Sequence, residues 1–140
     1  MKFINPIPFV ADLARAKAFY RDVLGLNILH DHGNFVQFDN GFVLHEGMSL
    51  HRIIYGHDTE TGDTEAGDAE TGDSKNARFY GRGNLVLYFE DDELDATFDR
   101  IADRLNVIHD IQQQAWGQRV FRFYDPDGHI VEVGEPQNPV

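Results

Sequence analysis

Two hexapeptides constrain this chain more than any other feature. Residues 26–31 read Leu26-Asn27-Ile28-Leu29-His30-Asp31, and residues 105–110 read Leu105-Asn106-Val107-Ile108-His109-Asp110. They differ only by an Ile/Val and a Leu/Ile exchange. They stand 79 positions apart in a chain of 140. A repeat of nearly half the chain length means two copies of one supersecondary unit. A paired fold of this kind tends to place its ligand site where the copies meet, so symmetry-related positions become candidate site residues.

The repeat extends in both directions. Upstream, Asn5-Pro6-Ile7-Pro8-Phe9-Val10-Ala11-Asp12-Leu13 aligns with Val86-Leu87-Tyr88-Phe89-Glu90-Asp91-Asp92-Glu93-Leu94 at an offset of 81. Each is an apolar run ending in an acid and a leucine. Downstream, the stretch from Phe38 to His45 aligns with that from Phe123 to Glu132. Gly41 then matches Gly128 and His45 matches Glu132, at an offset of 87. Turns of different length account for the drift.

A chain of 140 residues, 41% of them hydrophobic and eleven of them Phe, holds one domain or two half-size modules sharing a core. No apolar run is long enough to cross a membrane, and Met1-Lys2 leads straight into a strand pattern rather than a signal peptide. Cysteine is absent, which removes disulfides, thiolate metal sites and cysteine nucleophiles. The cytoplasm is the expected compartment. A net charge of −12 argues against nucleic acid as a partner. Half of that charge lies in three tandem pentads, Thr59–Asp73, which carry six acids and no base. Their glycines and lack of apolar period read as a solvated loop. Acids at five-residue spacing match neither the EF-hand nor the glycine-rich nonapeptide calcium pattern.

The rest of the chain reads as alternating elements. Phe3–Val10 is a strand, Asp12 caps a helix carrying Leu13, Ala16, Tyr20 and Leu24, and Gly25 stops it. Leu26–His30 is a strand. Gly33–Phe38 and Phe42–Gly47 form a hairpin around Asn40-Gly41. The second half repeats the order: strand Asn84–Glu90, a helix marked by Leu94, Phe98, Ile101 and Leu105, strand Val107–Asp110, and a hairpin of Arg119–Tyr124 with His129–Gly134 around Asp125-Pro126-Asp127-Gly128. Each half is therefore βαβββ: 1–47 and 83–135, joined by 48–82.

Three stretches give the pattern a family likeness: Phe19-Tyr20-Arg21-Asp22-Val23-Leu24-Gly25-Leu26, Trp116-Gly117-Gln118-Arg119, and the run from Phe123 to Glu132. With two βαβββ modules they resemble the vicinal oxygen chelate superfamily of glyoxalase I, bleomycin and fosfomycin resistance proteins and extradiol dioxygenases. The resemblance implies a single α+β domain over 1–140, two βαβββ modules related by a pseudo-twofold, and a cleft enclosed by their sheets. Its motifs specify the fold and leave the reaction open.

The resemblance also implies ligand positions on the first and last strand of each module: Asn5, His45, Val86 and Glu132. His45 and Glu132 suit a divalent metal, Asn5 is a feeble oxygen ligand, and Val86 cannot ligate. Glu132, the one catalytic candidate should the chain be an enzyme, lies between Val131 and Val133, so strand alternation turns it to the face opposite its neighbours. There it either pairs with an arginine or meets a ligand. Pairing the final hairpin across a tight turn sets Phe121 opposite Glu132 and gathers Arg119, Phe121 and Phe123 on its face. A slip of one residue substitutes Val120 and Arg122. Tyr88 shares a face with Val86, and Trp116 stands at a strand entrance as a pocket wall or a core or dimer contact. The expected ligand contacts are thus Asn5, His45, Tyr88, Trp116, Arg119, Phe121 and Glu132, an aromatic floor with a few polar groups.

No phosphate-binding glycine loop, serine-hydrolase elbow or paired-histidine zinc helix occurs. Two functions fit. The first is a small-molecule-binding protein, like the bleomycin resistance proteins, with an incomplete metal site and no cofactor. The alternative is a metal-dependent lyase, isomerase or dioxygenase with a reduced ligand set. A homodimer is expected from the resemblance.

Overall fold

The computed structural model describes residues 1–56 and 80–137, which fall into two compact units, residues 1–80 and 81–140. The acidic pentads and residues 138–140 lie outside the described residues. No helix among the described residues is long and apolar enough to cross a membrane.

The first unit is a four-stranded mixed sheet with a helix on one face. Its elements are β1 (Phe9–Val10), α1 (Leu13–Ala18), a π-helical turn (Phe19–Val23), β2 (Ile28–Asp31), β3 (Phe35–Phe38), β4 (Val43–Glu46) and α2 (Gly47–Tyr55). The sheet order is β1-β4-β3-β2, with β1 parallel to β4 and the other pairs antiparallel. Asp12 caps α1 through its side chain, which accepts the Arg15 amide at 3.1 Å. Leu13, Ala16 and Tyr20 then turn inward at helical spacing against Val10, Val36, Phe38 and Leu44, all buried. Tyr20 is the largest of them and packs its ring 4.8 Å from that of Phe42.

The second unit repeats this arrangement with β5 (Val86–Glu90), α3 (Leu94–Ile101), a 3-10 turn (Ala102–Arg104), β6 (Asn106–Gln113), β7 (Arg119–Tyr124) and β8 (Ile130–Gly134). The order β5-β8-β7-β6, with β5 parallel to β8, matches the first unit strand for strand. Asp91 organises the start of α3: its side chain accepts the Glu93 amide at 2.7 Å and the Thr97 hydroxyl at 2.6 Å. The helix lays Phe98 edge-on against Phe121, with ring centroids 4.9 Å apart, and Phe121 stacks on Phe123. The fold is thus the expected α+β arrangement of two βαβββ modules.

Four details differ from the expectation. First, β1 contains only Phe9–Val10, because Pro6 and Pro8 lack amide hydrogens and Asn5-Pro6-Ile7-Pro8 cannot run as a paired strand. Second, the linking stretch opens with a helix, α2, capped by the Glu46 carboxylate on the amides of Met48 and Ser49. Third, β6 continues to Gln113, beyond the expected end at Asp110. Fourth, the final hairpin adopts the slipped register, with Arg122 opposite Glu132 and Phe121 opposite Val133. The last shift flips every side chain of β7 relative to the alternative pairing.

The β7–β8 turn is held by Asp125, which is buried. One carboxylate oxygen accepts the amides of Asp127 and His129 at 2.9 Å each, and the other bonds His129 Nδ1 at 2.9 Å. The chain entering the second unit crosses this turn so closely that a Cβ on Gly81 would fall 2.3 Å from the Gly128 carbonyl carbon. Burial disfavours the His129 cation, but the hydrogen bond and charge of Asp125, with Asp127, outweigh it and raise its pKa above the usual 6.5. The stability contributed by this pair is therefore complete below the unfolded-state value and fades as pH rises through the folded one.

Two outcomes follow for stability. Replacing Phe121 by Ala should cost about 3–5 kcal/mol in urea unfolding, as for a core aromatic; a residue lining an open face would cost far less. The difference in melting temperature between the native chain and His129→Gln should be largest at acid pH and narrow as pH rises above the usual histidine value of about 6.5. A gap that is flat or widens would show that the Asp125–His129 pair is not the cause.

Candidate ligand-binding face of the second module

The strand pairings fix which residues share the sheet face turned away from α3. Tyr88 lies beside Glu132, Glu132 beside Arg122, and Arg122 beside His109. Four strands thus contribute one continuous polar row. The neighbouring row is apolar and aromatic over Val86, Ile130 and Tyr124 and ends at Asn106 on β6.

Arg122 is the centre of the row. Its Nε donates to Glu132 Oε1 at 2.7 Å, one terminal nitrogen donates to His109 Nε2 at 3.0 Å, and the other donates to Gln114 Oε1 at 3.2 Å. Both members of the ion pair are substantially covered, their side chains being 25% and 14% exposed. The His109 tautomer follows from its partners. Nδ1 lies 2.7 Å from the Asp110 carbonyl, which only accepts, so Nδ1 carries the hydrogen. Nε2 is left as the acceptor for a guanidinium that only donates. Among the described residues, Glu132 Oε2 has no hydrogen-bond partner.

Gln118, buried at the mouth of β7, ties two aromatic side chains to this face. Its Oε1 accepts from Trp116 Nε1 at 2.9 Å and from Gln137 Nε2 at 3.1 Å. Its Nε2 donates to the Tyr88 hydroxyl at 2.8 Å and to the Glu135 carbonyl at 2.6 Å. All four hydrogen-bonding capacities of the amide are therefore used. The Tyr88 hydroxyl donates in turn to Glu90 at 2.7 Å. Although the Tyr88 ring is 44% exposed, its hydroxyl end is enclosed by Gln118 and Glu90. That enclosure, with the Glu90 bond and the charges of Glu90 and Glu132, raises the phenol pKa above its usual value. Trp116 itself is 59% exposed and offers its ring to solvent.

The expected site residues divide accordingly. Tyr88, Trp116 and Glu132 belong to this connected network. Phe121 does not: it faces α3, and the slipped register puts Arg122 in its place beside Glu132. Arg119 also lies elsewhere, paired with Asp95 of α3 at 2.8 Å and with Glu135 at 3.2 Å. In the first module His45 stands on β4 between Phe9 and Phe35. Its Nδ1 is bonded to the Glu46 carbonyl at 2.8 Å, leaving Nε2 as a lone-pair donor. Asn5 precedes β1, and its amide donates to the Gly41 carbonyl at 3.4 Å.

The pairings also correct the repeat alignment. Phe9 sits beside His45 and Tyr88 beside Glu132. The entering strands are therefore related by 79 residues, the offset of the hexapeptides, rather than 81. Asn84, not Val86, is the counterpart of Asn5. His109, Gln114 and Gln118 join this network and were not among the residues expected from the sequence. The signal for His109 was the absence of any strand breaker between Asp110 and Gln113, which lengthens β6 past the histidine.

A divalent metal, often bound by proteins of this likeness, would need more donors than this face offers. No group of three His, Asp or Glu suited to hold an ion occurs among the described residues. Glu132 would have to exchange its guanidinium for the ion, and the entering-strand positions supply only the amides Asn5 and Asn84. The donor set does not fit.

Residues 3–138 match the glyoxalase-like domain. The chain belongs to that family. With the fold above, this places it in the vicinal oxygen chelate superfamily. A solved protein of unknown function from Agrobacterium tumefaciens strain C58 is 51% identical, with a TM-score of 0.81 over 98% of this chain and 95% of that one. A lactoylglutathione lyase from Agrobacterium tumefaciens is 26% identical, with a TM-score of 0.61 over 96% of this chain and 92% of that one. A glyoxalase/bleomycin resistance protein/dioxygenase superfamily member from Sphaerobacter thermophilus, 17% identical with a TM-score of 0.61, covers 97% of this chain and 98% of its own and shares the fold.

The role of Gln118 is open to a direct check. Gly134 lets the amide pass, since a Cβ there would lie 2.5 Å from Gln118 Nε2. Gly134→Ala and Gln118→Ala should therefore both shift the emission of Trp116, the sole tryptophan, to longer wavelength as the indole is released to water. Unchanged emission in both variants would mean that Gln118 does not position the indole.

Proposed function

We infer that this chain is a small-molecule-binding protein of the glyoxalase-like family that works without a resident transition metal. Its ligand lies on the open face of the second module. Trp116, Tyr88 and the Val86–Ile130–Tyr124 row supply aromatic and apolar contact. Glu132 Oε2 accepts from the ligand's hydrogen-bond donor, and Arg122 fixes the carboxylate for that task. The observation that carries the reading is the commitment of Glu132 to Arg122. A guanidinium within 2.7 Å disfavours a cation on the same carboxylate. The preferred ligand is small and partly aromatic, with at least one N–H or O–H donor. A homodimer belongs to the same reading and is tested by light scattering.

Trp116 fluorescence tests the binding. The untagged chain should be titrated with tryptamine and with 4-hydroxybenzoate. Saturable quenching by at least one probe is expected, and Arg122→Met or Glu132→Gln should weaken it about tenfold or more if a hydrogen bond to a charged group is lost. Quenching by neither probe, or quenching indifferent to both substitutions, would overturn the reading.

A second reading is favoured by one observation: His45 and Glu132 occupy the same place on the last strand of their modules, and the lactoylglutathione lyase is a relative. On that reading the chain isomerises the hemithioacetal of methylglyoxal and glutathione when supplied with Ni2+ or Zn2+. Formation of S-lactoylglutathione that disappears in both His45→Ala and Glu132→Gln would establish it. Our account predicts no turnover.

A further inference from the structure

The sequence repeat gives both modules the same hexapeptide, but its two histidines have different surroundings. His109 is bonded through both ring nitrogens. Its counterpart His30 is exposed on β2, the outer strand of the first sheet. Two residues on, His32 places its ring centroid 5.8 Å from that of His30, with the planes 30° apart. His32 in turn stacks on Phe35 at 5.8 Å and 26°. Among the described residues, neither imidazole makes a hydrogen bond to the protein, whereas His45, His109 and His129 are all tied through Nδ1. Asp31, between the two, accepts from the Gly33 amide at 3.0 Å and from Lys17 Nζ at 2.7 Å. Those contacts pin the end of β2, with His30 on the strand and His32 just past it.

We propose that His30 and His32 form a two-imidazole chelate for Cu2+, Ni2+ or Zn2+, on a different strand from the family's ligand positions. Imidazole nitrogen suits these ions and not Mg2+ or Ca2+. An ion about 2.0–2.1 Å from one nitrogen of each ring lies roughly 3.2 Å from each ring centre, so it spans centres up to roughly 6.4 Å apart. The observed separation falls inside that reach. Turning the rings to meet the ion breaks no hydrogen bond. Phe35 limits the freedom of His32, so less order must be imposed on binding. Water completes the coordination, and the net charge of −12 draws cations to the surface. The general order of affinities makes Cu2+ the tightest of the three.

The test is calorimetric titration of the whole untagged chain with Cu2+, then with Ni2+ and Zn2+. Loss of one of two ligands should cost at least as much as loss of a group that only orients a ligand. His30→Asn and His32→Asn should thus each weaken Cu2+ about tenfold or more, whereas His45→Asn and Glu132→Gln should leave it unchanged. As a second readout, Zn2+ should perturb the imidazole nitrogen resonances of His30 and His32 together. Affinity retained in either histidine variant, affinity lost in His45→Asn, or Zn2+ shifts confined to other residues would overturn the proposal. His30→Asn and His32→Asn leave Arg122, Glu132 and Trp116 intact, so this site and the ligand face stand or fall separately.

Discussion

The ion pair between Arg122 and Glu132 is the contact on which the chemistry of the second module turns. It forms because β7 and β8 pair with these two residues directly opposed. The alternative register would set a phenylalanine beside the carboxylate and send the arginine toward α3. Burying a guanidinium under a helix without a partner is costly, and Phe121 would leave the aromatic cluster it forms with Phe98 and Phe123. The core therefore selects the register, and the register places the charge. The same pairing fills the position where a metal-binding relative would need a free carboxylate.

Around that pair the face is rigid in one part and open in another. Gln118 is saturated by four partners and clamps Tyr88 and Trp116. Glu132 Oε2, by contrast, has no hydrogen-bond partner among the described residues, and Trp116 is exposed. Such a division suits the binding role proposed above: the groups that would hold the geometry are locked by the protein, while those that would meet a ligand keep unspent capacity. The first module differs at the equivalent row. His45 stands between Phe9 and Phe35 without a charged neighbour in its row, so the duplicated scaffold carries two unlike surfaces.

Much of this was legible in the sequence, for identifiable reasons. The repeated hexapeptide, Asp12 as a helix cap and the Asn40-Gly41 and Asp127-Gly128 turns are local signals, and the fold followed from them. That an arginine would meet Glu132 was also readable, because Arg119 and Arg122 bracket both possible registers. Choosing between the registers required the packing of Phe121 on α3, a contact between residues far apart in sequence. The offset of 81 arose from aligning apolar character. Pro6 and Pro8 shorten β1 and shift its pairing, which apolar character does not record. Gln118 stood in a stretch that carried the family likeness, but nothing local marked it as a site residue, since its importance comes from four partners brought together by the fold.

The central claim is that Glu132 belongs to Arg122. A double-mutant cycle tests it most directly, comparing urea unfolding of the native chain with Arg122→Met, Glu132→Gln and the double variant. The account predicts a coupling free energy of about 1 kcal/mol or more between the two side chains. Effects that add to within about 0.3–0.5 kcal/mol would mean that the two do not interact, leaving the carboxylate free for a metal ion.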